Sequence, residues 1–215
     1  MPTPLFLYFI IISFLFSLLV YSKRSSSFYL KLFPPFLLIT VLIEYLGVYL
    51  VNKGKETFLL YNFFTGFEFC FYLFILSYIV KKAKAGRIIL YTLFSYFFVT
   101  LINILFIQTN GFHSITYSLG CLLIVVFCIY FFYELFRRST SITLTKEPAF
   151  WICSALLFYY CCSFPLFGAA NLLYNLPQIL LYNMQNIVNV MNILLYSLFT
   201  IAFLCRIRIP KYTLQ

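Results

Sequence analysis

The chain has 215 residues, 64% of them hydrophobic and 9% charged, with a mean hydropathy of +0.99. Soluble domains carry about 25% charged residues, so this chain lacks the side chains to cover a water-facing surface. Its net charge of +10 comes from 15 Lys and Arg against five Glu and no Asp. These bases sit in short stretches between apolar runs, which suits anionic lipid headgroups and argues against nucleic acid.

A membrane-spanning helix needs roughly 20 mainly apolar residues, because the hydrocarbon core is about 30 Å thick and each residue rises 1.5 Å. Seven stretches meet this requirement: 5–21, 35–51, 57–80, 88–107, 112–136, 148–172 and 177–205. The expected fold is therefore a single all-α domain, a bundle of seven transmembrane helices. The first stretch has no basic region before it and its charges, Lys23 and Arg24, follow it. It is expected to remain as a span and not to be cleaved as a signal peptide. The breakers between spans are Pro34-Pro35, Lys53-Gly54-Lys55, Ala85-Gly86, Asn110-Gly111, Lys146-Glu147-Pro148 and Asn175-Leu176-Pro177. Pro148 and Pro177 suit a first helical turn, where a missing N–H costs nothing. Pro165 lies inside the sixth span and predicts a kink.

Counting bases by connection orients the bundle. Lys23, Arg24 and Lys31 follow the first span, and Lys81, Lys82, Lys84 and Arg87 follow the third. Arg137, Arg138 and Lys146 follow the fifth, and Arg206, Arg208 and Lys211 follow the seventh. The opposite side holds only Lys53 and Lys55. The positive-inside rule then places the N-terminus outside and the C-terminus in the cytoplasm.

Polar residues inside the spans are the functional candidates. Glu44 and Glu68 both fall near the bilayer midplane with no Lys, Arg or His at that depth. A carboxyl there must face the bundle interior and be protonated or paired. On the third span Tyr61, Thr65, Glu68 and Tyr72 follow a 4-3-4 spacing and form one stripe. On the second, Thr40, Glu44 and Gly47 share a face, and Gly47 permits a close neighbour. The seventh span carries Gln178, Tyr182, Gln185, Asn189, Asn192 and Tyr196 at 4-3-4-3-4 spacing, with Asn183 and Asn186 widening its outer half. Thr92, Tyr96 and Asn103 form a face on the fourth. Such groups can be interhelical hydrogen-bond glue, at about 0.6 kcal/mol each. The seam and the two acids together point instead to a polar cavity among the second, third and seventh spans. His113, the one histidine, is expected at the membrane interface, and the seven cysteines all fall in apolar runs as small buried side chains.

Several chemistries are excluded. No span holds an interior Lys for a retinal Schiff base, and there is no His–Glu–x–x–His, Gly–x–Ser–x–Gly or Walker motif. No catalytic residue, metal site or cofactor is expected. Pro177-Gln178 matches the dipeptide of the PQ-loop transporters, but that family carries it in two equivalent helices and this chain once. A broader resemblance rests on the stretch Tyr61-Asn62-Phe63-Phe64-Thr65-Gly66-Phe67-Glu68-Phe69, on Phe150-Trp151-Ile152 and on the amide-rich seventh span. These look like features of small, uncharacterised seven-span inner-membrane proteins common in Bacteroidota. The resemblance implies a multi-pass protein of the bacterial inner membrane in which Glu68 matters, and nothing about substrate. Three roles stay open: a sensor or receptor-like module that binds a small ligand or lipid and signals through a membrane-protein partner, a small proton-coupled transporter, or an assembly subunit.

Overall fold

Without water in the bilayer core, every backbone N–H and C=O must be satisfied within its own segment, and the apolar runs accordingly form helices. The computed structural model describes residues 4–22, 27–109, 111–137, 144–168 and 178–207. Among the described residues there are eight α-helices and no strand. They are α1 (Leu5–Ser22), α2 (Phe28–Lys31), α3 (Phe33–Asn52), α4 (Phe58–Ile79), α5 (Ala83–Ile102), α6 (Ser114–Phe136), α7 (Pro148–Gly168) and α8 (Gln178–Ile207). The short α2 leads directly into α3, and the other seven are the spans, each long and apolar enough to cross a membrane. The chain is a multi-pass membrane protein. Lys23, Arg24, Asn110, Arg138, the connection from Asn175 to Pro177 and the tail beyond Ile207 lie outside the described residues, as do the side chains of Gln178 and Tyr182.

Helix ends follow local chemistry. Pro34 occupies the first turn of α3 and Pro148 opens α7. Gly54, at φ 68°, ends α3 in the left-handed conformation that a Cβ would disfavour. The Gly54 N–H donates to the Val51 carbonyl at 2.9 Å and the Lys55 N–H to Leu50 at 3.0 Å, so the last turn is closed by both bonds of a Schellman cap. At the far end of α5 the chain widens into a π-turn over Asn103–Ile107, closed by Gln108 N–H on the Asn103 carbonyl at 2.7 Å. Pro165 lies within α7, three residues before its end.

Because the helices are apolar on all sides, hydrophobicity alone does not select their inward faces. Small and weakly polar residues do so, by allowing backbones to approach. On α1 the buried residues are Leu7, Ile10, Ser13, Ser17 and Val20, while Leu15, Leu18 and Leu19 stay exposed for lipid. α8 packs between α1 and α7, α7 against α6, and α1 against α3. α4 packs on α5 and α6 but touches α3 only sparingly. Toward the basic end that gap is filled with rings. Phe36 stacks on Phe71 at 3.9 Å, and Phe33 meets Phe71, Phe199 and Phe203 edge-on. A second aromatic group surrounds Phe69, which contacts Tyr96, Tyr117 and Tyr160. Toward the other end Tyr61 of α4 reaches Gly47 and Glu44 of α3, and a cavity opens beside them.

Candidate functional site

The polar stripe of α4 faces this cavity. Thr57, Tyr61, Thr65 and Glu68 line it from α4 and its entry, Glu44 from α3, and Gln185, Asn189, Asn192 and Tyr196 from α8. The volume is about 630 Å³, within the range of about 300–1,000 Å³ usual for small-molecule sites. From Thr57 to Glu68 the wall descends eleven residues, about 16 Å at helical rise, so the cavity runs from the end opposite the bases to mid-bundle. The sequence expectation named helices two, three and seven as its walls, which are α3, α4 and α8. The structure adds Phe6 from α1, Phe112 and Tyr117 at α6, and Tyr159, Leu166 and Phe167 from α7. None of these aromatics stands out in a chain with 29 Phe and 19 Tyr.

The two carboxyls are each held by one tyrosine. The Tyr61 hydroxyl donates to Glu44 Oε2 at 3.2 Å, and the Tyr72 hydroxyl donates to Glu68 Oε1 at 3.0 Å. Gly47 makes the first bond feasible, since a Cβ there would lie 2.9 Å from Tyr61 Cζ. Tyr72 is fully buried behind the cavity and acts on it only through Glu68. The second oxygen of each carboxyl, Glu44 Oε1 and Glu68 Oε2, has no hydrogen-bond partner among the described residues. The amides of Gln185, Asn189 and Asn192 likewise line the cavity without a hydrogen bond there. On the opposite arc of α8, Ile187, Leu194 and Ile201 are exposed. Asn183 and Asn186 are also exposed and stand off the cavity. Thr40 turns back to its own helix, donating to the Phe36 carbonyl at 3.0 Å.

Beside the cavity lies a second polar group that the sequence did not assemble. His113, at the N-cap of α6 and so at a span end, is fully buried within the protein. One ring nitrogen, Nε2, is 2.6 Å from Thr65 Oγ1, and the other, Nδ1, is 2.8 Å from Thr116 Oγ1. Its backbone N–H donates to Asn62 Oδ1 at 3.3 Å, and Asn62 Nδ2 donates to the Gly111 carbonyl at 2.7 Å. Asn103 Nδ2 donates to Thr116 Oγ1 at 3.0 Å and to Gln108 Oε1 at 2.9 Å, while the Tyr96 hydroxyl donates to the Thr116 carbonyl at 3.1 Å. The polar face of the fourth span thus serves α6 and not the cavity, and Thr92 bonds back to Ile88 at 2.9 Å. Burial among these neutral partners pushes the His113 imidazole down to about 4.

No group of three His, Cys, Asp or Glu side chains among the described residues is placed to hold a metal ion. No family model matches the chain, and neither the curated proteins nor the solved structures yield a match.

Proposed function

We propose that this protein is a receptor-like, non-enzymatic module of a bacterial inner membrane, which takes a small ligand into its intramembrane cavity from the outer side. The observation that carries the reading is the set of open hydrogen-bonding groups, from Glu44, Glu68, Gln185, Asn189 and Asn192, around one space of about 630 Å³. Groups that served only as interhelical glue would be joined across helices, whereas among the described residues only Glu44 of these five is, through the Tyr61 hydroxyl, and its second oxygen stays open. The base distribution of the sequence supports an outer mouth, because the cavity runs from the end that carries only Lys53 and Lys55. Any signalling output would pass to a membrane-protein partner.

The test is thiol accessibility in intact cells. An Asn189→Cys variant should react with a membrane-impermeant maleimide added outside, with the label located by mass spectrometry, while Leu194→Cys on the lipid arc should not. Reaction at position 189 only after the inner face is exposed would overturn the outer mouth, and no reaction at all would overturn the cavity.

The two half-bonded carboxyls also favour a second reading, a proton-coupled carrier in which Glu68 titrates during transport. Ligand-dependent proton uptake by vesicles holding the purified protein would distinguish the carrier from the receptor.

A further inference from the structure

The chemistry of the cavity wall narrows what can enter it. Among the lining residues there are two carboxyls, three amides and no Lys, Arg or His. Every formal charge the described wall can carry is therefore negative. Aromatic side chains line the space with the acids: Tyr117, Tyr159 and Tyr196, with Phe58, Phe112 and Phe167. An aromatic face is the negative pole of the ring quadrupole, so a wall rich in rings suits a cation that meets such a face and supplies apolar area throughout. Each carboxyl keeps one oxygen unbonded among the described residues, and a carboxylate in a poorly hydrated site makes its strongest hydrogen bonds to an ionised donor. An anion would meet only repulsion or neutral amides, and a fully apolar molecule would leave the acids and amides unpaired.

We propose, resting on the ligand-cavity reading above, that the ligand is an organic cation: an amine or alkylammonium head that pairs with Glu68 or Glu44, on an apolar body that lies against the rings. A bare metal ion fits less well, because two carboxyls with no third His, Cys, Asp or Glu beside them are a sparse donor set. The aromatic wall would also contribute little to it. The amides of Gln185, Asn189 and Asn192 line the α8 side of the same space and can bond polar substituents on the ligand body.

The experiment uses the full-length Asn189→Cys protein in membrane vesicles and follows its alkylation by neutral N-ethylmaleimide at that position. Tetraphenylphosphonium and tetraphenylborate, of the same shape and opposite charge, serve as protecting probes. The phosphonium should slow alkylation saturably and the borate should not. Adding Glu68→Gln, and separately Glu44→Gln, should raise the protecting concentration of the phosphonium at least tenfold for one of the two. Both variants are first checked for monodisperse elution. If both probes protect equally, if neither protects, or if protection survives both Gln substitutions, the cation assignment is overturned while the cavity reading stands. If Asn189→Cys is never alkylated, the cavity reading itself fails.

Discussion

Two polar regions lie side by side in this bundle and spend their hydrogen bonds differently. Around His113 the side chains of Asn62, Thr65, Asn103, Gln108 and Thr116 bond to one another or to nearby backbone, leaving only the Asn103 amide oxygen without a partner among the described residues, and tie α4, α5 and α6 together. Across Thr65, which belongs to both regions, the cavity presents two carboxyls that each accept one tyrosine bond and keep a second oxygen open, and three amides with no hydrogen bond among the described residues. The first arrangement is what a membrane protein uses to specify its fold, since an unsatisfied polar group in hydrocarbon is costly. The second, beyond the two tyrosine bonds to Glu44 and Glu68, leaves groups open for the occupant proposed above. The contrast predicts that mutations in the closed network change stability, while equivalent ones in the cavity change binding.

The largest effect should come from Asn62→Ala. It leaves the Gly111 carbonyl and the His113 N–H without their side-chain partner, at about 1–3 kcal/mol each and so roughly 2–6 kcal/mol in all. The same truncation at Asn189, whose amide has no hydrogen-bond partner among the described residues, should cost no more than about 0.5 kcal/mol. Unfolding of the two variants in detergent gives the comparison directly. Equal losses would erase the distinction between the regions.

Next in size is a pH effect confined to the closed network. The folded imidazole of His113 is pushed down to about 4 from a usual 6.5, so the unfolded chain binds the extra proton first as the solution is acidified. Stability from this group is complete above about 6.5 and falls as the pH drops toward about 4, by up to roughly 3 kcal/mol. A His113→Asn variant should show a flatter acid limb than the parent in the same unfolding measurement. An unchanged slope would mean that His113 is not held neutral by the fold.

Much of the bundle was legible in advance, for a physical reason: hydrocarbon thickness sets span length, and charge placement alternates with each crossing. Glu44, Glu68 and the α8 seam were legible because an amide or acid in an apolar helix is conspicuous, and its helical spacing states its face. Tyr117 and Tyr159 were not, since an aromatic that lines a cavity and one that faces lipid are written with the same letter. Asn62 was hidden for another reason. It sits one residue after Tyr61, so its side chain leaves α4 about 100° away from the cavity stripe, and only the fold shows that Gly111 and His113 wait there. The place of His113 at a span end was readable, whereas its burial was not, because Asn62 and Thr65, which bond to it, come from another helix.

A smaller effect separates two glycines. A Cβ on Gly120 would lie 2.8 Å from the Phe69 ring and from the Tyr96 hydroxyl, both buried with no space to move, so Gly120→Ala should cost about 1–3 kcal/mol. On Gly47 the Cβ meets the hydroxyl end of Tyr61, which can swing into the cavity. The lost Tyr61–Glu44 bond, about 1 kcal/mol, is then offset by the helix preference for Ala over Gly, also about 1 kcal/mol. Gly47→Ala should unfold with the parent and yet bind the phosphonium probe more weakly. A large stability loss there would show that Tyr61 belongs to the closed scaffold.

The smallest expected change in stability is also the sharpest test of the comparison. Glu68→Gln keeps an oxygen where Tyr72 donates at 3.0 Å and keeps the side-chain volume, but puts an NH2 donor in place of the open oxygen and can neither carry negative charge nor release a proton. Unfolding should therefore move by no more than about 0.5 kcal/mol, and the protein should stay monodisperse. Glu68→Leu has similar bulk but strands the fully buried Tyr72 hydroxyl, which costs about 1–3 kcal/mol. The pair thus separates the two duties of one residue: acceptance of the Tyr72 bond, which both Glu and Gln can perform, and charge, which only Glu can. If Glu68→Gln unfolds like the parent but loses cation protection or ligand-driven proton uptake, the carboxyl's charge serves the cavity and not the fold. If Glu68→Gln is as damaged as Glu68→Leu, the ionisable group is itself structural. The open oxygen at the floor of the cavity would then be part of the scaffold rather than a place for a ligand.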